Sequence, residues 1–251
     1  MKVYKVLAFF LCAIMLTSSA GAVDITSGLF GIDDYESGPL ADEFKDRAGA
    51  NYVRKFDQEL ENYFTSYGTD NTYENSYMYK DSRATGSRFR SKANGAQQTM
   101  FVFAGHGKAG IDYGPILYDE MVPKTDLLFE HLYVTMYCCN WLRNNGSTAS
   151  QKAIYETFDG TRLEMGFASQ MYLDSREARA YASNLTDYTV INAFINAAEI
   201  YQPGGLGKPV IARVVGYKNA KNDVLVANNS SAPTYAQRPS SFDTLCTVTF
   251  S

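Results

Sequence analysis

"LYVTMYCCNWLR", residues 132–143, decides how the chain is read. From Leu132 to Tyr137 every residue is aliphatic, aromatic or β-branched, and the run stops at Cys138 and Cys139 before turning polar at Asn140. A short apolar run without alternation is a strand covered on both faces, the kind that a parallel sheet buries between helices. A second run of the same character, "TMFVFAGHGKAG" (99–110), ends in Gly105-His106-Gly107. Two such strands, each ending in a chemically capable residue, predict an open α/β sheet whose ligands bind beyond the carboxyl ends of the strands.

The rest of the chain agrees with that class. "GLFGIDDYESGPLADEF" (28–44) starts as a short apolar strand and breaks into a Gly/Pro loop. Phe44, Val53, Phe56, Leu60 and Phe64 fall at helical spacing, so 41–65 reads as an amphipathic helix that Ala48-Gly49-Ala50 can interrupt. Residues 66–97 are polar, Tyr/Ser/Asn/Gly-rich and weakly periodic, which predicts a long exposed loop with one short helix around Ser82–Phe89. A loop of that length inside a compact domain is a candidate rim of a binding cleft. Helices are expected at 148–158, 174–184 and 187–201, and further strands at "TRLEMGFAS" (161–169), "KPVIARVVGY" (208–217) and "LCTVTF" (245–250). Strands alternating with helices predict a three-layer α/β/α sandwich with a mostly parallel sheet.

The N-terminus sets the expected compartment. Lys2 and Lys5 precede the apolar run "VLAFFLCAIML" and the small residues Ala20-Gly21-Ala22, the pattern of a cleaved secretory leader over 1–22. The remaining 23–251 then form a single α/β domain. Taking Lys2 and Lys5 from the 23 basic residues leaves 21 against 27 acidic ones, a net charge of −6 without any basic cluster. Such a chain is not built to bind nucleic acid through its phosphates. No later segment is apolar enough to cross a bilayer, so no stable membrane insertion is expected after leader cleavage. Asn145, Asn184, Asn228 and Asn229 begin N-x-S/T sequons, which suit surface loops of an exported protein.

Cysteine arithmetic narrows the chemistry. With Cys12 removed in the leader, Cys138, Cys139 and Cys246 remain. Neighbouring cysteines rarely bridge to each other, so one of the pair is either tied to Cys246 or buried unpaired, and the other is free. Three cysteines and two histidines without a CxxC spacing do not make a zinc site, and no cofactor motif occurs.

The two histidines divide by position. His131 begins the strand that Cys139 ends, about 25 Å away along extended chain, and is read as structural. His106 ends a second strand; if the two strands pair in parallel, about 5 Å apart, His106 and a cysteine share one sheet edge. A thiol and an imidazole suffice as nucleophile and general acid/base for cleaving an amide. Gly107, lacking a Cβ, can bring its N–H to a developing oxyanion beside the N–H of the cysteine. Against this stands the plain reading of a strand-end cysteine as a small apolar core residue.

The blocks "MFVFAGHG" and "LYVTMYCCNW", with 33 residues from His106 to Cys139, resemble the caspase–hemoglobinase superfamily of cysteine peptidases. That group includes caspases, metacaspases, legumains, gingipains, separases and CHAT domains. The segment "EMGFASQMYLDSREARAYASNLTDYTVINAFINAAEI" (164–200) resembles the strand and two helices that follow the nucleophile in CHAT-like and gingipain-like members, and together with the start "FGIDDYESGPLADEF" (30–44) and the aromatic loop before the His strand it resembles a secreted microbial branch. The resemblance spans residues 28–218 and implies a caspase-like fold and a peptide or protein substrate. It also implies His106 as general acid/base, Gly107 as oxyanion donor and Cys139 as nucleophile, with Cys138 second. Asn140-Trp141 replaces the small residue usual after the nucleophile, so the indole is expected to bear on how much room the site has. The alternative function is a non-catalytic secreted or cell-surface recognition domain on the same fold.

Overall fold

The computed structural model of the chain describes residues 24–46, 48–66, 71–95, 97–108, 114–202, 208–225 and 243–250. The expected leader and the sequons at Asn228 and Asn229 lie outside these residues.

Three strands, β3 (Met100–Ala104), β4 (Tyr133–Tyr137) and β5 (Leu163–Phe167), are buried at every position. β3 and β4 run parallel, Met100 opposite Tyr133 and Ala104 opposite Tyr137, and β5 lies parallel on the far side of β4. β1 (Asp24–Gly31) pairs parallel with β3, and β2 (Thr72–Lys80) pairs parallel with β1. β6 (Val210–Gly216) and β7 (Asp243–Phe250) close the other edge antiparallel. The sheet order is β2-β1-β3-β4-β5-β6-β7.

Each face of the sheet has its own core. Helices α1 (Gly49–Ser66), α4 (Ser175–Asn184) and α5 (Val190–Tyr201) pack with Tyr133, Tyr137, Leu163 and Met165 on one face. Helices α2 (Gly86–Ala93) and α3 (Thr148–Tyr155), with the loops around them, pack with Phe101, Phe103, Val134 and Met136 on the other. The result is the three-layer α/β/α arrangement with a mostly parallel sheet. Thr85, Ser147 and Thr189 cap α2, α3 and α5, each side chain accepting from a backbone N–H in the first turn.

Two expectations need correction. The first helix begins at Gly49, not near 41, because Ala48-Gly49-Ala50 is where the chain crosses the end of the sheet. A Cβ on Gly49 would lie 2.1 Å from the Ala104 carbonyl oxygen, so only glycine fits there. Ahead of it, the Asp46 carboxylate accepts from the Tyr35 and Glu36 amides and folds the preceding loop back over the strand ends.

The second correction concerns residues 66–97, which contain the edge strand β2 and helix α2 rather than a long loop. The tyrosines do alternate, but the pairing with β1 slips between Asn75 and Tyr77. That bulge reverses the parity: Tyr73 packs on the α1 face, whereas Tyr77 and Tyr79 pack on the α2 face. A strand that changes face midway, with polar residues exposed along an edge, shows no clean period of two.

Cys246 lies on β7, opposite Val214 of β6. Two strands separate β7 from β4, so about 14 Å of sheet lies between Cys246 and the cysteine pair, twice the Cα separation a disulfide can span. Cys138, Cys139 and Cys246 are all free thiols. Of the two fates open to the structural thiol, burial without a partner is the one Cys138 has.

Candidate active site

The carboxyl ends of β3 and β4 meet as neighbours. The ladder continues one step past the strands, with the Gly105 amide donating to the Tyr137 carbonyl at 3.1 Å. The His-Gly segment then lies directly on the cysteine pair: a Cβ on Gly107 would come within 2.5 Å of the Cys139 carbonyl oxygen and 3.1 Å of the Cys138 sulfur. Gly107 is therefore required sterically. Among the described residues neither its amide nor that of Cys139 is engaged in a hydrogen bond.

Alternation along β4 sends the two thiols to opposite faces. Cys138 is fully buried with Met136, Trp141 and Phe103 on the α2/α3 face, where burial pushes its thiol well above the usual range. Such a thiol is chemically quiet. Cys139 is partly exposed, packs at the margin of the α1/α4/α5 core, and its Sγ donates to the Met171 carbonyl at 3.8 Å.

After Cys139 the chain turns through Asn140, which has φ +61°, a left-handed conformation that costs a non-glycine residue energy. The Asn140 amide donates to the Ser169 carbonyl at 2.9 Å. This turn drives Trp141 down into the α2/α3 core, where it is 1% exposed. Its Nε1 donates to the buried Glu164 carboxylate at 3.2 Å, and the Lys124 ammonium sits 4.9 Å over its ring. Gly166 beneath leaves the space: a Cβ there would lie 3.0 Å from the indole. The bulky residue after the cysteines anchors the turn from below and points away from the Cys139 thiol.

The His106 ring is held from the opposite flank. Its Nε2 lies 2.7 Å from the Lys45 carbonyl, its backbone N–H donates to the Tyr35 hydroxyl, and the Tyr35 and Phe44 rings pack against it at centroid distances of 4.9 and 5.1 Å. A carbonyl can only accept, so Nε2 carries a proton, and in the uncharged form of the ring the lone pair is the one on Nδ1. The loop after β1 thus positions His106, while the loop after β5 receives the Cys139 thiol. The strand ends are adjacent, but no hydrogen bond joins either sulfur to the imidazole. His131 is fully buried; its Nδ1 accepts from the Gln98 amide and its Nε2 donates to the Lys92 carbonyl, a structural role.

Beside the cysteine turn opens a cavity of about 510 Å³ that the residue pattern did not signal. Asn140, Ser169, Arg143, Lys208 and Arg213 are among its walls. Arg143 comes from the loop after β4, and Lys208 and Arg213 from the segment entering β6 some 65 residues later, without a motif that joins them. Among the described residues no cluster of three or more His, Cys, Asp or Glu side chains is arranged to hold a metal ion. None of the described helices is long and apolar enough to cross a membrane.

Residues 41–246, which include His106, Gly107, Cys138, Cys139 and Cys246, match the family described as "Domain of unknown function (DUF6345)". The chain belongs to this family. Two solved structures similar to this DUF6345 chain are of a secreted C11 cysteine protease from Bacteroides thetaiotaomicron. The first, of "iotapain", has a TM-score of 0.45 at 10% identity and covers 80% of this chain and 68% of that one. The second, in complex with an irreversible peptide inhibitor, has a TM-score of 0.45 at 9% identity with the same coverage. No chemistry follows from a likeness at this level. No curated protein matches the chain.

Proposed function

We propose that this DUF6345 chain is an exported cysteine peptidase or related amide hydrolase acting on peptides or proteins, with Cys139 as nucleophile and His106 as general acid/base. It would act as a single domain over 23–251 after loss of the 1–22 leader, without a nucleic-acid partner and without stable insertion in a membrane. One observation carries the reading: the His-Gly segment is seated on the Cys-Cys turn through Gly107, leaving two amides uncommitted beside a partly exposed thiol. The left-handed Asn140 supports it, since backbone strain concentrates where a side chain must be presented.

In the reaction, the Cys139 sulfur attacks the carbonyl carbon of the scissile amide. The His106 Nδ1 takes the thiol proton and returns it to the departing amine as the C–N bond breaks. The Gly107 and Cys139 amides receive the oxyanion, and water then cleaves the thioester to release the acid and restore the thiol. The thiol must leave the Met171 carbonyl and meet the imidazole when substrate binds, a tightening that catalytic hydrogen bonds commonly undergo between free and loaded enzymes.

The second reading, a non-catalytic recognition domain on the same fold, is favoured by one fact: His106 and Cys139 are each engaged by a backbone carbonyl on opposite flanks. An irreversible thiol-directed peptide probe separates the two. Labelling is expected on the native protein and is abolished in Cys139→Ala and His106→Ala at unchanged melting temperature. Labelling that survives Cys139→Ala and is lost in Cys138→Ala would move the nucleophile. No labelling by any peptide probe would leave the recognition domain.

A further inference from the structure

The cavity beside Cys139 is built for an anion. Three cations line it, Arg143, Lys208 and Arg213, and among the described residues no acidic one does. None of the three forms an ion pair among the described residues, although the chain as a whole carries a net charge of −4. Arg213 is the most constrained. Its Nη1 donates to the Leu142 carbonyl at 2.7 Å, which fixes the guanidinium, while its Nε is buried without any hydrogen-bond partner. Buried N–H groups are nearly always satisfied, so Arg213 is held at the cavity wall with its hydrogen-bonding capacity only partly used, and a guanidinium fixed in this way is suited to a carboxylate. Arg143 and Lys208 stand exposed at the same cavity and add positive potential that draws an acid in.

The location ties this cavity to the thiol. Asn140, one of its walls, directly follows Cys139, and the Ser169 carbonyl that fixes the Asn140 amide belongs to another wall. At about 510 Å³ it admits an acidic side chain together with adjoining backbone. We propose that Arg143, Lys208 and Arg213 form a specificity site that selects peptide substrates by an aspartate or glutamate next to the bond presented to Cys139. This rests on the peptidase reading for the bond that is cut, but the binding of an acidic peptide does not.

Two measurements test the proposal and keep the two readings apart. The first compares labelling rates of Cys139 by peptide probes identical except for Asp, Asn or Lys before the reactive group. The Asp probe is expected to react at least ten-fold faster than the Asn probe, with Lys slowest. In Arg213→Gln, and separately in the exposed Arg143→Gln and Lys208→Gln, that ratio falls toward one. Equal rates for Asp and Asn in the native protein would overturn the specificity site and leave the peptidase reading intact. The second is calorimetric binding of an uncleavable acidic peptide to the Cys139→Ala protein, with inorganic phosphate as competitor. Binding that Arg213→Gln and Arg143→Gln weaken, where the native protein with its Cys139 thiol intact is labelled by none of the probes, would uphold the acid site and remove the peptidase. Binding of phosphate but not of the acidic peptide would overturn the proposal.

Discussion

At the residue scale, three residues around one turn do separable things. Gly107 is a spacer: Gly107→Ala would place a methyl 2.5 Å from the Cys139 carbonyl oxygen and force the two segments apart. Overpacking of this kind typically costs about 1–3 kcal/mol, so urea denaturation should show a loss in that range and probe labelling of Cys139 should fall with it. Asn140 holds the turn through its backbone, not its side chain. Replacement by glycine, which adopts φ +61° freely, should leave stability within about 0.5 kcal/mol of native, whereas valine should cost about 1–2 kcal/mol. That Cys138 and Cys139 have different roles was legible through strand alternation, while the choice of Cys139 as nucleophile came from the family resemblance. The pattern could state that the two cysteines face opposite ways, but not which way faced the open side, because that depends on which helices cover each face.

At the element scale, short apolar strands and amphipathic helices announced themselves while the edge did not. β3, β4 and β5 are buried on both faces, so their residues are apolar without interruption and need no context to be recognised. Helix α1 shows its buried stripe, Tyr52, Val53, Phe56, Leu60 and Phe64, directly. Phe56→Ala there should cost about 3–5 kcal/mol in chemical denaturation, and the exposed Glu61→Ala less than about 0.5 kcal/mol. β2 escaped notice because its bulge switches the tyrosines between faces, and a bulge is set by the register of the neighbouring strand. The anchoring of Trp141 was also hidden: a tryptophan after the cysteines reads as crowding until Gly166, on another strand, is found beneath the indole.

At the scale of the whole molecule, buried ionisable groups make stability depend on pH in opposing windows. Burial raises Glu177 from the usual 4.5 to about 8, with Oε2 accepting from Gln202 and Oε1 unpartnered near the Tyr52 and Tyr137 rings. Burial raises Glu164 to about 8 as well, its carboxylate accepting from Thr157 and Trp141. A carboxyl whose folded pKa exceeds its unfolded one favours folding while protonated, so that contribution declines as pH rises from 4.5 toward 8. His131 is opposite: burial lowers it from 6.5 to about 3, so its contribution is present above 6.5 and is lost as pH falls toward 3. Above pH 6.5 His131 is silent and the downward slope belongs to the two glutamates. Melting curves at pH 6.5 and 8 should show that slope, and Glu177→Gln should remove about 2 kcal/mol of it. An unchanged slope in that variant would mean that Glu177 ionises in the folded protein as it does in water.

The amino-acid sequence by itself determined the class of fold, the strand ends that meet, and the short set of residues with chemistry to offer. Those properties are local: a doubly buried strand must be apolar throughout, and with two histidines and adjacent cysteines there was little else to choose. Only the tertiary structure decided how those residues are held. The order of the strands puts Cys246 too far away to pair, and the loops after β1 and β5 pull His106 and Cys139 toward opposite flanks. Arg143 comes from the turn after β4 and Lys208 and Arg213 from the segment entering β6, and the two meet only because β6 folds back antiparallel beside β5. Local chemistry is written in neighbouring residues, whereas a cavity is made by surfaces that become neighbours only when the sheet closes.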